Sequence, residues 1–149
     1  METYTVTVND EKTIEWRNSA GKRHRKNGPA IERADGTKEW YVNDKRHRED
    51  GPAVEWADGT KAWFVNGKRH REDGPAIERA NGTKEWFVNG KLHSEDCPAI
   101  ESANGTKFWY VNDQRLTHEQ FLAHTKPKQA SCAGKVVEVD GVKYILVKA

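Results

Sequence analysis

The sequence predicts an all-β fold: a single-layer antiparallel meander of stacked 23-residue β-hairpin units, followed by a short C-terminal helix and a terminal β-hairpin. Three observations carry this expectation. The unit best seen at residues 67–89, GKRHREDGPAIERANGTKEWFVN, recurs with a spacing of 23 residues, so that Arg23, Arg46, Arg69 and Leu92 are equivalent, as are Trp40, Trp63, Trp86 and Trp109. Every copy carries two turn signals, at Asp35-Gly36, Asp58-Gly59, Asn81-Gly82 or Asn104-Gly105 and at Asn43-Asp44, Asn66-Gly67, Asn89-Gly90 or Asn112-Asp113. Between the turns lie β-rich runs such as TKEWYV. A period of about 20 to 50 residues marks stacked units that are each too small to bury an apolar face alone.

Residues 1–20 read as a capping hairpin. Tyr4, Val6 and Val8 alternate with polar residues, the chain turns at Asn9-Asp10, and the pattern resumes at Ile14 and Trp16. Four units follow over 21–112. Asn-Gly and Asp-Gly supply the positive φ that tight hairpin turns need. A three-residue loop at Ala34, Asp35 and Gly36 sets Glu32 opposite Lys38, and likewise Glu55 opposite Lys61, Glu78 opposite Lys84 and Glu101 opposite Lys107, so opposite charges meet in every copy. In that register the diagonal pairs are Arg33/Glu39, Trp56/Ala62, Arg79/Glu85 and Ser102/Phe108, which change together. Alternation sends the tryptophans to one face and Tyr41, Phe64, Phe87 and Tyr110 to the other, in a sheet that must twist or curl.

The Pro29, Pro52 and Pro75 corners cannot donate to a ladder and are expected to bulge or kink. The fourth corner reads Asp96-Cys97-Pro98, which suggests that this corner does not require positive φ. Beyond Asn112, Thr117 and Gln120 form a capping box with Leu116 and Phe121 as a staple, so 113–125 is expected to hold a helix over His118 to His124. A linker, 126–134, leads to a hairpin, 135–149, turning at Asp140-Gly141 with Glu138 opposite Lys143 and Val137 opposite Tyr144. Two strands alone are marginal in water, so this hairpin is expected to dock on the array or on a second subunit.

Composition bounds the function classes. The net charge is only +2 with acids and bases interleaved, which argues against nucleic acid, and no stretch approaches the roughly 20 apolar residues of a membrane span. The opening METYTVTVND lacks a basic segment followed by an apolar one, so retention in the cytoplasm is expected. Cys97 and Cys132 have no CxxC or Cys/His companion and read as reduced thiols.

The strongest candidate for binding is the basic run Arg23-His24-Arg25, Arg46-His47-Arg48, Arg69-His70-Arg71, fading to Leu92-His93-Ser94. Successive hairpins set equivalent residues about 10 Å apart, a row able to fork onto phosphates or carboxylates, with Trp63 and Trp86 nearby to stack a base or side chain. In this reading, removing Arg48 and Arg71 weakens binding without unfolding the protein. The plain alternative pairs the arginines with Glu49, Asp50, Glu72 and Asp73 as a solvated edge. One histidine per unit points to a structural hydrogen bond at each turn. Histidines about 10 Å apart cannot share an ion held at roughly 2 Å, so no metal and no cofactor is expected. No nucleophile stands in fixed relation to the histidines, so no catalytic residue is assigned and a hydrolase ranks last. The tryptophans read as core, and Trp56 as a surplus aromatic and a contact residue.

The run ADGTKEWYVN, followed by GKRHR in the repeating register, resembles the MORN repeat, a β-hairpin unit with an Ala-Asp-Gly turn, an aromatic strand and an Asn-Gly-Lys turn followed by His. The resemblance covers Gly21 to Asn112. Where MORN units carry Gly after the His, this chain has Arg25, Arg48, Arg71 and Ser94, and its Gly-Pro-Ala corner is an addition. It looks like the divergent variant of tailed phages and large DNA viruses, and GKVVEVDGVKYILV looks like a hairpin frequent in phage proteins. The resemblance implies a non-enzymatic scaffold, and by analogy a phage counter-defence factor that binds and blocks a host protein. An oligomeric sponge for a cyclic nucleotide signal is the alternative. Exposed sheet edges make a homodimer or higher homo-oligomer the expected state.

Overall fold

The computed structural model describes residues 3–124, 136–139 and 142–145. The N-terminal hairpin is β1 (Thr5–Val8) and β2 (Ile14–Arg17), with Val6 opposite Trp16 and Val8 opposite Ile14. The first unit supplies β3 (Ile31–Glu32), β4 (Lys38–Glu39), β5 (Tyr41–Val42) and β6 (Lys45–Arg46). The second supplies β7 (Val54–Glu55), β8 (Lys61–Ala62), β9 (Phe64–Val65) and β10 (Lys68–Arg69), and the third β11 (Ile77–Glu78), β12 (Lys84–Glu85), β13 (Phe87–Val88) and β14 (Lys91–Leu92). The fourth ends in longer strands, β15 (Ile100–Glu101), β16 (Lys107–Val111) and β17 (Gln114–Leu116), then α1 (His118–His124). A hairpin of β18 (Val136–Val139) and β19 (Val142–Ile145) comes last.

One 11-stranded antiparallel sheet runs through the array in the order β1-β2-β3-β4-β7-β8-β11-β12-β15-β16-β17. The expected register holds in all four copies, with Glu32 opposite Lys38, Glu55 opposite Lys61, Glu78 opposite Lys84 and Glu101 opposite Lys107. The next unit extends each pair, since Lys38 also faces Glu55, Lys61 faces Glu78 and Lys84 faces Glu101. The result is a row of alternating charge across the sheet. The Arg33 amide donates to the Thr37 carbonyl at 2.9 Å and Gly36 sits at φ 94°, which is the three-residue loop with a left-handed glycine. The second turn has Asn43 at φ 50° and Asp44 at φ 66°, both positive as a type I′ turn requires.

Each unit is more than a two-strand hairpin, because pairing changes hands at the tryptophan. The Trp40 amide donates to the Ala53 carbonyl of the next unit at 2.8 Å, while its carbonyl accepts from the His47 amide at 3.1 Å within its own unit. The chain therefore pairs with neighbouring units on one side of Trp40 and with itself on the other, giving the small ribbons β5–β6, β9–β10 and β13–β14 beside the main sheet. Trp63 and Trp86 repeat the switch.

The core is assembled from small, branched and single-ring aromatic residues rather than from the tryptophans. Ala53, Val54, Ala62, Phe64, Ala76, Ile77 and Phe87 form one buried cluster, with Trp40 and Leu92 packed against it, and Ala30, Ile31 and Tyr41 form a second. The tryptophans of the repeat are only partly covered, which corrects the expectation that they fill the core. Ala30, Ala53, Ala76 and Ala99 have no exposed surface, so a methyl group is the largest side chain observed where each corner returns to the sheet.

Helix α1 has the expected bounds. The Gln120 amide donates to Thr117 Oγ1 at 3.1 Å and the Thr117 amide to Gln120 Oε1 at 2.9 Å, a reciprocal capping box, and Phe121 is buried. Val137 pairs with Tyr144 and Glu138 with Lys143, as expected. The expected linker 126–134, Cys132 and the Asp140-Gly141 turn lie outside the described residues. No helix among the described residues is long and apolar enough to cross a membrane.

Candidate binding surface

The arginines of the basic run do not form one ladder. The chain leaves the strand after Arg46, so alternation no longer places Arg46 and Arg48 on the same side. Arg48 turns onto the Trp40 face: its Cζ lies 4.1 Å from the ring centroid, its Nε donates to Asp50 at 2.9 Å, and its Nη1 donates to Glu55 at 3.1 Å and to the Pro52 carbonyl at 3.3 Å. Arg71 does the same with Trp63, Asp73, Glu78 and Pro75, and Arg25 lies on Trp16 with bonds to Glu32 and the Pro29 carbonyl. These guanidiniums are building material, as in the plain alternative but tied down more firmly. Removing Arg48 or Arg71 therefore carries a structural cost besides any effect on binding.

The corner glycines belong to the same device. A Cβ built on Gly51 would stand 3.0 Å from Arg48 Cζ, and one on Gly74 would stand 3.1 Å from Arg71 Cζ. Neither glycine has positive φ, so what they supply is room for a guanidinium. The fourth corner makes the converse choice. Ser94 replaces the arginine and Cys97 replaces the glycine, and both are buried, with Ser94 Oγ 3.2 Å from Cys97 Sγ and accepting from the Cys97 amide at 3.2 Å.

The histidines take the predicted structural role. His47 Nδ1 accepts from the Asn66 amide at 3.2 Å and His70 Nδ1 from the Asn89 amide at 3.1 Å, each reaching the second turn of the following unit. His24 and His93 accept from Asn43 and Asn112 in the same way. Among the described residues no group of three or more His, Cys, Asp or Glu could hold a metal ion.

Arg23, Arg46 and Arg69 lie on the opposite face, beside the buried rings. Arg46 meets Glu39 at 2.9 Å and sits between Tyr41 and Phe64, with Cζ 5.8 and 5.5 Å from the two ring centroids. Arg33 meets the other oxygen of Glu39 at 2.7 Å, and the Tyr41 hydroxyl donates to the same carboxylate at 3.0 Å. With 4% of its side chain exposed, Glu39 is the buried hub of this face. Burial works to raise its pKa, but the bonds from Arg33, Arg46 and Tyr41 outweigh it and hold the carboxyl below the ordinary range. Arg23 has Glu15 at 3.0 Å in the same role, and Arg79 has Glu85 at 2.6 Å.

The second unit breaks this pattern. Ala62 takes the place of Glu39 and Trp56 the place of Arg33, so Arg69 has no acidic partner among the described residues and only the Phe87 ring, 5.2 Å from its Cζ. Trp56 is 39% exposed, the most exposed of the tryptophans. Sequence reasoning singled out Trp56 and Arg69 separately. It missed the missing carboxylate that joins them, although the exchange of Glu for Ala seven positions before the arginine was readable. Trp63 lies under Arg71, whereas among the described residues no guanidinium covers Trp86, whose unit has Ser94 in the arginine's place.

Grooves also mark the surface of the described residues. One of about 850 Å³ lies between the corners of the first and second units, lined in part by Lys26, Trp40, His47 and Glu49. Another of about 370 Å³, beside α1, includes Trp109, Arg115 and His118, and the Trp109 and His118 rings stack at 4.5 Å. No protein-family model matches the chain, and comparison with curated proteins finds no match.

Proposed function

We propose that this chain is a non-enzymatic repeat scaffold whose sheet surface binds another protein. The observation that supports it is the use of the chemically capable side chains. The repeated histidines and corner arginines are spent on bonds between and within units, while the exchanges at Trp56 and Ala62 in the second unit leave an exposed tryptophan beside an exposed Arg69 that has no acid among the described residues. Aromatic and arginine side chains are the types that dominate protein–protein contacts. By analogy with the MORN-like variant of phages, the partner is a host protein in the bacterial cytoplasm, and binding blocks it. The exposed edge strand β1, with Val6 and Val8 open to solvent, favours self-association into a homodimer or higher oligomer. Affinity-tagged protein expressed in a bacterial host should retain one host protein in fixed ratio through salt washes and size exclusion. Retention of no protein in fixed ratio counts against the reading.

The groove between the first two corners favours a second reading, an oligomeric sponge for a cyclic nucleotide, since its volume and its Trp40 and Lys26 lining suit a base and a phosphate. Glu49 and Asp50 line the same groove and oppose an anion, which ranks this reading second. Calorimetry with a panel of cyclic nucleotides should give no heat at micromolar protein. Saturable heat would install the sponge reading instead.

A further inference from the structure

We infer that the second unit is a docking site for a carboxylate side chain of the partner, received by Arg69 and flanked by Trp56. The inference rests on the binding reading above and names what is bound. Three positions converge in the first unit, where Arg33 and Arg46 grip opposite oxygens of Glu39. The equivalents in the second unit are Trp56, Arg69 and Ala62. Trp56 lies diagonal to Ala62, because Glu55 faces Lys61, and Arg69 faces Phe64, two residues beyond Ala62 on the same side of the strand. Trp56 and Arg69 therefore flank a spot where the chain supplies only a buried methyl group.

The chemistry of the vacancy names its occupant. Arg23 and Arg46 on this face each hold a glutamate from their own chain, and Arg69, in the same row and equally close to a ring, does not. A guanidinium resting on an aromatic ring and lacking a counter-ion is a ready receptor for a carboxylate. The adjacent Trp56 adds an exposed apolar plane, so an acidic residue next to an apolar or aromatic one fits both. Arg115 also lacks an acid among the described residues, but Phe108 fills the hub position beneath it at 4.9 Å and Ser102 stands where Trp56 would. A nucleic acid is disfavoured because it needs several unneutralised cations in a row. On this face Arg33, Arg46 and Arg79 are already neutralised.

The test exploits the repeat itself. Replacing Trp56→Arg together with Ala62→Glu writes the two arginine–glutamate pairs of the first unit's hub into the second and should leave a folded protein with Arg69 occupied internally. Random dodecapeptides displayed on phage would be selected on the wild-type protein and scored on this repaired protein and on Arg69→Ala, whose side chain is exposed and makes no ion pair with a described residue. The expected result is a set of acidic peptides with an adjacent apolar residue that bind both variants at least about tenfold more weakly, the loss of one charged hot-spot contact. Selected peptides that bind the repaired protein as tightly as wild type overturn this site while leaving the scaffold reading standing. Failure to select any peptide above background overturns the site as well, and the scaffold reading then rests on capture of a host protein. A fluorescent single-stranded oligonucleotide whose binding is lost in the same two variants would assign the vacancy to phosphate and overturn the carboxylate.

Discussion

Glu39 shows how much of this protein turns on a single side chain. Its carboxylate joins two strands and two arginines, and its folded pKa is held below the ordinary value of 4.5 by those bonds against the opposing effect of burial. A depressed carboxyl stabilises the fold above its unfolded pKa, and that contribution disappears as pH falls through the unfolded and then the folded value. Glu39→Gln should cost about 2 kcal/mol near neutral pH, because two guanidiniums lose their anion. Its urea midpoint should then fall less steeply than the wild type as pH drops below the ordinary glutamate range, while the exposed aspartates whose pKa values are lowered by Arg48 and Arg71 contribute alike in both proteins. Parallel pH profiles would show that Glu39 is not the hub. Only half of this hub was legible in the sequence. The diagonal Arg33/Glu39 pair followed from register, but Arg46 reaches Glu39 only because the chain switches partners at Trp40, and a switch of backbone pairing leaves no mark on alternation.

Among the elements, the corner carries the clearest coupling. Arg48 is packed between the Trp40 ring and the Gly51 backbone, so Gly51→Ala forces a guanidinium with four other contacts to move. A loss of about 1–2 kcal/mol is expected, and Arg48→Ser should cost about 2 kcal/mol. The double variant, like the fourth corner with Ser94 and Cys97, pairs a small polar side chain with a residue that carries a Cβ, and should be more stable than the sum of its parts by about 1 kcal/mol. Additive losses in a double-mutant cycle would separate the two positions. The strand pairings and the capping box of α1 were legible because turn chemistry and opposite charges specify them locally. The corner was half legible. Its prolines announced a break in the ladder, whereas the function of its glycine emerged only with the guanidinium in place.

Across the whole molecule, stability is shared between neighbours. Thr37 Oγ1 accepts from the Ala57 amide at 3.3 Å, Thr60 from Ala80 and Thr83 from Ala103 at 3.1 Å, and each histidine accepts from the unit after it. Every internal unit thus contributes one interface, and adding units should add stability. A protein with residues 67–89 duplicated after Asn89 should remain folded, with a higher denaturant midpoint by circular dichroism and a scattering profile longer by about 10 Å, two strand spacings. A lower midpoint would show that the array length is fixed by something other than nearest neighbours.

The bonds between units also fix how the array answers to load. Strands lie across the stacking direction, so the hydrogen bonds joining one unit to the next point along it, and tension between the first hairpin and α1 would fall on them in series. Such a chain does not shear as a block. It gives way at its weakest junction and pays out 23 residues at a time, like a fastener opened tooth by tooth. With Ala62 where its neighbours on either side have glutamate, the second unit lacks the arginine–glutamate pairs that brace the first and the third.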